Sequence, residues 1–316
     1  MSLNIHDEVR KNKIKSTLII LLFFGFVGFL GGIAAVVFSL YSSGVYSWGS
    51  FLFGLIMAFI VSGIYIWIFW LTGEKMILST TGAKLASPKQ YPHLYHTTEA
   101  LSIAAGLKKP PKCYVIQDPS LNAYATGFRP EKSHIVVTTG LLNKLNRQEM
   151  EGVLAHEISH IQNQDIRVML LAAGLVGATV LLADFMFRMF LFAPRSGGSG
   201  GSGGKNGAMI LVIIGFWIFL VILSPIIGQM IKLAISRRRE YLADANGALL
   251  TRYPEGLASA LEKIKNDGNE LRTANKATAH LFISNPFKRK STLSYLFATH
   301  PPIDNRISRL RGKSTQ

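Results

Sequence analysis

Five consecutive residues carry the clearest chemistry in this chain. His156-Glu157-Ile158-Ser159-His160 has the form H-E-x-x-H. On an α-helix, positions i and i+4 share one face, so both imidazoles can reach a single ion. Zinc accepts neutral imidazole, and a zinc that does chemistry keeps one position for water beside three protein ligands. Glu157 falls on the adjacent face, placed to act on that water as a general base without ligating the metal. The pattern also arises by chance, with both histidines as ordinary surface or core residues. Its setting argues for the helix: Val153, Leu154, Ile158 and Ile161 form an apolar stripe at helical spacing.

Two histidines need a third protein ligand, and Glu240 is the candidate. It lies in Ser236-Arg-Arg-Arg-Glu-Tyr-Leu-Ala-Asp244. A carboxylate beside three arginines also reads as a solvated ion pair. Asp244, however, follows four residues on, on the same helix face. One carboxylate can ligate the metal while the other orients a ligand histidine through its free ring nitrogen.

The elements that position these residues divide sharply by hydropathy. Four apolar runs, at about 18–40, 51–71, 168–192 and 208–235, are each long enough to cross a bilayer core as a helix. Buried helices of a large soluble core usually show polar residues every turn, whereas the first two runs carry no charge. A signal peptide is too short for the first run, and a second uncharged run follows at once.

Basic residues orient the spans. Arg10, Lys11, Lys13 and Lys15 precede the first, eleven Lys or Arg lie in 73–167, and sixteen lie in 232–316. The connections at 41–50 and 193–207 hold none and two. By the positive-inside rule both termini and both polar regions are cytoplasmic. Asp184 and Arg188, four apart in the third run, read as an ion pair near its outer end, although charges at membrane depth are also functional candidates. Ser224-Pro225 is the one candidate break in the fourth run.

The formal net charge of +16 invites a nucleic-acid reading. The basic residues sit in the segments that face anionic headgroups, which accounts for them without nucleic acid. The single cysteine, Cys113, precludes an internal disulfide and suits a reducing compartment; its apolar neighbours make it a core residue rather than a nucleophile.

Within the polar regions, 73–167 reads as α+β and 236–316 as mostly helical. A helix is predicted over about 90–107, ended by Gly106 and Pro110-Pro111, with strands at Cys113–Ile116 and His134–Thr138. Asn122-Ala-Tyr-Ala-Thr-Gly127 alternates like an exposed or edge strand. Asn146 is placed to cap a helix from Arg147 to about Gln162. The loop at 195–207 contains GGSGGSGGKNG, a flexible composition that fits a natural loop and an engineered linker alike, and contributes no chemistry.

Taken together, Asn122–Gly127, H-E-x-x-H, the Arg-Arg-Glu-Tyr-Leu-Ala-Asp run and Thr299-His-Pro-Pro302 with Arg306 resemble, in that order along the chain, the membrane metallopeptidase family that includes HtpX and the zinc-dependent CAAX prenyl proteases. Four spans in a chain of this length resemble the HtpX branch. The resemblance implies a mainly α membrane protein: four transmembrane helices and a split cytoplasmic α+β catalytic domain of the zincin, gluzincin-like, kind. The expected parts are an N-terminal tail and hairpin over 1–72, a zincin part over 73–167, a second hairpin over 168–235, and a catalytic C-terminal part over 236–316.

It further implies one Zn2+ per chain, held by His156, His160 and Glu240, with Asp244 behind them and Glu157 as base. His300 matches a histidine near the active site that can stabilise a developing oxyanion, while a His before two prolines also suits a turn. Arg306 is expected to hold the C-terminal loop, and Asn122, Ala123, Tyr124, Ala125 and Thr126 to pair with substrate. The implied activity is endopeptidase cleavage of misfolded or damaged membrane proteins at the cytoplasmic face of a bacterial inner membrane. The alternatives are a prenyl-protein (CAAX-type) protease and a non-catalytic membrane scaffold. A structural zinc would favour four ligands, often cysteines, and Cys113 lies far from the motif.

Overall fold

In the computed structural model the described residues are 5–43, 45, 47–192, 215, 237–275, 277–286 and 301–312. The chain divides into two compact units, Met1–Ser16 with Thr72–Ala173 and Ile231–Gln316, and Thr17–Leu71 with Gly174–Met230. The secondary structure is mostly helical.

Among the described residues the second unit holds portions of three long helices, α1 (Ile5–Ser43), α2 (Trp48–Thr80) and α6 (Asp165–Phe192). Among the described residues, Ile14–Ile33 and Trp48–Thr80 are long and apolar enough to cross a membrane. Both helices extend past the apolar runs that announce them, because polar residues in the flanking turns are good helix formers too. Gly31 and Gly54 let α1 and α2 meet backbone to backbone; a Cβ on either would strike the other helix, the close approach that small residues permit between apolar helices. Tyr65 Oη donates to the Gly174 carbonyl at 2.7 Å. Leu21, Phe29, Phe53, Val61 and Trp67 face outward, an exposed apolar surface of the kind suited to contact with lipid. The fourth apolar run, Ser224-Pro225 and the glycine-rich loop lie outside the described residues apart from Gly215, and so do the side chains of Asp184 and Arg188.

The other unit holds a four-stranded sheet: β1 (Lys84–Leu85), β2 (Lys112–Ile116), β3 (Ala123–Thr126) and β4 (His134–Thr138). Its order is β1-β2-β4-β3, with β2 parallel to β4 and the other pairs antiparallel. Among the described residues six α-helices lie on the sequence between and after the strands: α3 (Pro92–Ala104), α4 (Thr139–Lys144), α5 (Arg147–Gln162), α7 (Arg237–Thr251), α8 (Pro254–Asn266) and α9 (Ile303–Leu310). Proline at the first turn of α3 and Gly106 at φ +69° beyond its end mark the start and stop signals of the sequence.

α5 is the centre of the unit, packed against α3, α7, α8 and β3. Its start is a capping box: Asn146 accepts from the Glu149 N–H while Glu149 accepts from the Asn146 N–H. Val153, Leu154, Ile158 and Ile161 join Leu94, Val115, Ile135, Val137 and Leu261 in one buried core. Cys113 is part of that core, its Sγ 3.6 Å from Thr98 Oγ1, and burial pushes its thiol up, away from nucleophilic use. Gly152 lets α5 touch α8, since a Cβ there would lie 2.6 Å from the Leu257 nitrogen.

Candidate metal centre

α5 presents His156 and His160 on one face, as the four-residue spacing requires, and α7 brings Glu240 opposite them. The His156 and His160 Nε2 atoms stand 3.2 Å apart. Glu240 Oε1 is 3.5 Å from His160 Nε2, and Glu240 Oε2 is 3.9 Å from His156 Nε2. All three residues are buried and form the group suited to a metal ion among the described residues. Ligand atoms 2.0–2.2 Å from a tetrahedral zinc stand roughly 3.4 Å from one another. The separations, from 3.2 to 3.9 Å, bracket that spacing, and two imidazoles with one carboxylate are a donor set that catalytic zinc uses. The residues fit the ion.

The approach of α7 to α5 depends on Gly247, where a Cβ would sit 3.1 Å from the His156 nitrogen. A larger side chain there would press on the backbone of α5 at His156.

Each of the two histidines is held from behind through its other nitrogen. Asp244 Oδ1 lies 3.0 Å from His156 Nδ1, and Asp165 Oδ2 lies 3.0 Å from His160 Nδ1. A carboxylate on Nδ1 fixes the tautomer that leaves the Nε2 lone pair for a metal. Asp244 was legible in the sequence by its spacing from Glu240. Asp165 was not, because it opens α6 just past the motif helix and reaches back only through the turn at Asn163 and Gln164; the positive φ of Gln164, 58°, is the local mark of that reversal.

Arg306 departs furthest from its expected role as the anchor of a C-terminal loop. It does donate to the Ile283 carbonyl at 3.2 Å. Its guanidinium, however, is fully buried in the centre itself, with Nε and NH2 on Asp244 at 2.9 and 2.7 Å, NH1 3.6 Å from Glu240, and NH2 3.3 Å from His156. The reading of Glu240 as a solvated partner of its neighbouring arginines also fails. Glu240 is buried, and its neighbour Arg239 is buried as well, reaching Asp165 Oδ1 at 3.4 Å.

These surroundings set the protonation preferences. Burial and the Arg306 charge push His156 down to about 4, which keeps its ring neutral. Burial works against charge on His160 too, but the Asp165 hydrogen bond and the Glu240 carboxylate prevail and push it up to about 9. Burial likewise pushes Glu157 up to about 7, against the pull of His160, Arg306 and the Ala125 backbone N–H. For Asp244, burial opposes ionisation but Arg306 holds the carboxyl below the usual range.

β3 is an edge strand by pairing, but it is buried along its length rather than exposed. The Ala123 carbonyl accepts from the Ile283 N–H at 2.9 Å, and Asn122 Nδ2 donates to the Ser284 carbonyl at 3.3 Å. The Tyr124 ring meets Phe282 edge to face, and its hydroxyl lies 2.6 Å from that of Thr81. Alternation alone cannot separate an edge covered by another segment from one facing water. His300 and Thr299 lie outside the described residues.

Residues 88–314 match Peptidase family M48. The Protease HtpX homolog of Listeria monocytogenes serotype 4a (strain HCC23) is 42% identical over 97% of this chain and 99% of its own length. That of Caldanaerobacter subterraneus subsp. tengcongensis is 42% identical over 96% and 97%. That of Dictyoglomus thermophilum is 44% identical over 82% of each chain. Among solved structures, S. mikatae Ste24p matches 81% of this chain and 64% of its own at 23% identity and a TM-score of 0.42.

Proposed function

This chain belongs to peptidase family M48 and is a membrane zinc protease, and we propose that His156, His160 and Glu240 hold its zinc while Glu157 serves as general base. The observation that carries this assignment is the convergence of the two imidazole Nε2 atoms, 3.2 Å apart, on the Glu240 carboxylate, whose oxygens lie 3.5 Å from one and 3.9 Å from the other. When bound, zinc supplies a Lewis acid for the substrate carbonyl and lowers the pKa of water towards 7.

The chain's own residues do the rest. Asp244 and Asp165 hold the Nδ1 protons of His156 and His160 and so aim both Nε2 atoms at the ion. Arg306 keeps Asp244 ionised and fixed. Glu157, two per cent exposed and beside both histidines, takes a proton from the attacking water on its carboxylate and returns it to the leaving amine. His300 is proposed, from the resemblance of its motif, to donate to the oxyanion of the substrate.

We assign β3, with Asn122–Thr126, to binding an extended segment of substrate by main-chain hydrogen bonds. Its Ala123 carbonyl is already taken by Ile283 and its Ala125 N–H lies on Glu157, so the pairing starts from the Ala125 carbonyl. Proline scanned through a cleaved peptide should block cleavage at alternate positions; tolerance at every position would refute strand addition.

The substrates are proposed to be misfolded or damaged membrane proteins. Support comes from the sequence: only seven residues separate His160 from the apolar run that begins at Val168. The four apolar runs are proposed as four spans, with a split zincin domain over 73–167 and 236–316. The charge bias favours both termini and the active site on the cytoplasmic side of a bacterial inner membrane.

The first test is Glu157→Gln. Protein purified in detergent with chelator and then given zinc should cleave an unfolded substrate as wild type, whereas the variant should bind zinc and cleave nothing. Equal cleavage by both would place the base elsewhere.

A further inference from the structure

Asp165 fixes His160, and what fixes Asp165 comes from the other end of the sequence. Asn12 belongs to α1, among Arg10, Lys11, Lys13 and Lys15, a stretch whose composition suits a solvated basic tail. Yet Asn12 is 2% exposed. Its Nδ2 donates to Asp165 Oδ1 at 2.7 Å and to the Asn163 carbonyl at 2.9 Å. Its Oδ1 accepts from Arg239 NH1 at 3.4 Å, and that same nitrogen reaches Asp165 Oδ1 at 3.4 Å. Both ends of the carboxamide are engaged, so its orientation is set. A continuous path runs from Asn12 through Asp165 to His160, with links of 2.7 and 3.0 Å.

A buried asparagine that only fills a core needs partners of any kind. This one places its shortest bond on the carboxylate that aims a proposed metal ligand, and its other end on the arginine adjacent in sequence to a second proposed ligand, Glu240. Without Asn12, Asp165 Oδ1 keeps only the longer contact to Arg239 among the bonds described above. Its carboxylate then gains room to turn away from His160 Nδ1.

We propose that Asn12 is a positioning residue of the metal centre, locking the Asp165 carboxylate in the orientation that aims His160 and thereby raising metal affinity. The proposal rests on the reading of His160 as a ligand. Residues that orient metal ligands are worth 10–100-fold in affinity, and Asn12 acts one bond further out, so about tenfold is expected.

The test uses the full chain in detergent, stripped with chelator and titrated with zinc against a chromophoric chelator, with cobalt(II) absorption as a second readout. Asn12→Leu and Asn12→Asp should each weaken zinc binding about tenfold and alter the cobalt spectrum. Ser16→Ala, one turn along α1 with its hydroxyl on the Asn12 carbonyl, should leave both unchanged. His160→Ala tests the underlying reading by itself: wild-type affinity there would refute the ligand assignment. If His160→Ala loses the metal while both Asn12 variants, folded and melting as wild type, keep its affinity and cobalt spectrum, Asn12 is a core residue only and the proposal is overturned. Should Asn12→Leu fail to fold, Asn12→Ser decides by the same two readouts.

Discussion

The Arg306 guanidinium grips both oxygens of the Asp244 carboxylate, at 2.9 and 2.7 Å, with the arginine wholly out of solvent. A planar fork on a carboxylate fixes direction as well as charge. The pair therefore holds Asp244 at the angle at which it meets His156 Nδ1, 3.0 Å away.

Removing one partner of such a buried pair leaves an uncompensated charge, at a cost of about 3–5 kcal/mol. Arg306→Met should lower the melting temperature in detergent by an amount consistent with that range. Arg306→Lys should recover part of the loss but not the activity, since a lysine cannot hold both oxygens. Wild-type melting of Arg306→Met would mean that the pair contributes no net stability.

Asp165→Asn keeps the size of the side chain but removes the charge that faces His160. Zinc affinity should fall roughly 10–100-fold, measured by competition with a chromophoric chelator, while protein saturated with zinc still cleaves its substrate. An unchanged affinity would show that the His160 ring is held by packing alone.

Zinc binding should release a proton and be pH-dependent. In chelator-treated protein His160 is pushed up to about 9, so near neutral pH the metal must displace its proton. Apparent zinc affinity should rise about tenfold per pH unit up to that value and then level off. The sign for stability is the reverse. The contribution of protonated His160 to the chelator-treated fold is complete below pH 6.5 and is lost as pH rises through about 9. Calorimetric titration in buffers of different ionisation enthalpy counts the proton directly; a count of zero near pH 7 would contradict the arrangement.

Gly152→Ala forces a methyl group against the Leu257 backbone at 2.6 Å. Overpacking of this kind costs about 1–3 kcal/mol, and the loss should appear in thermal melts with zinc present. Gly247→Val should act differently, weakening zinc binding more than the fold, because its side chain points at the His156 backbone.

What the sequence determined by itself is what depends on neighbours along the chain. The i and i+4 histidines, the Asn146 cap and the apolar stripe of α5 are local, because helix geometry alone puts such residues in register. The spacing from Glu240 to Asp244 is local for the same reason. Membrane character followed from unbroken apolar runs, and the family from the order of four motifs. The strand at His134–Thr138 coincided with its β-rich run. The tertiary structure alone decided which distant groups converge. Arg306 and Asp244 are 62 residues apart, Arg239 and Asp165 are 74 apart, and Asn12 and Asp165 are 153 apart. No periodicity links such pairs. It also decided burial: the same alternation in Asn122–Thr126 serves an open edge or one covered by Ile283 and Ser284, and only packing chooses between them. A charged residue in a basic stretch reads as solvated until a fold encloses it, because a buried charge is tolerated only when partners from elsewhere in the chain compensate its lost hydration.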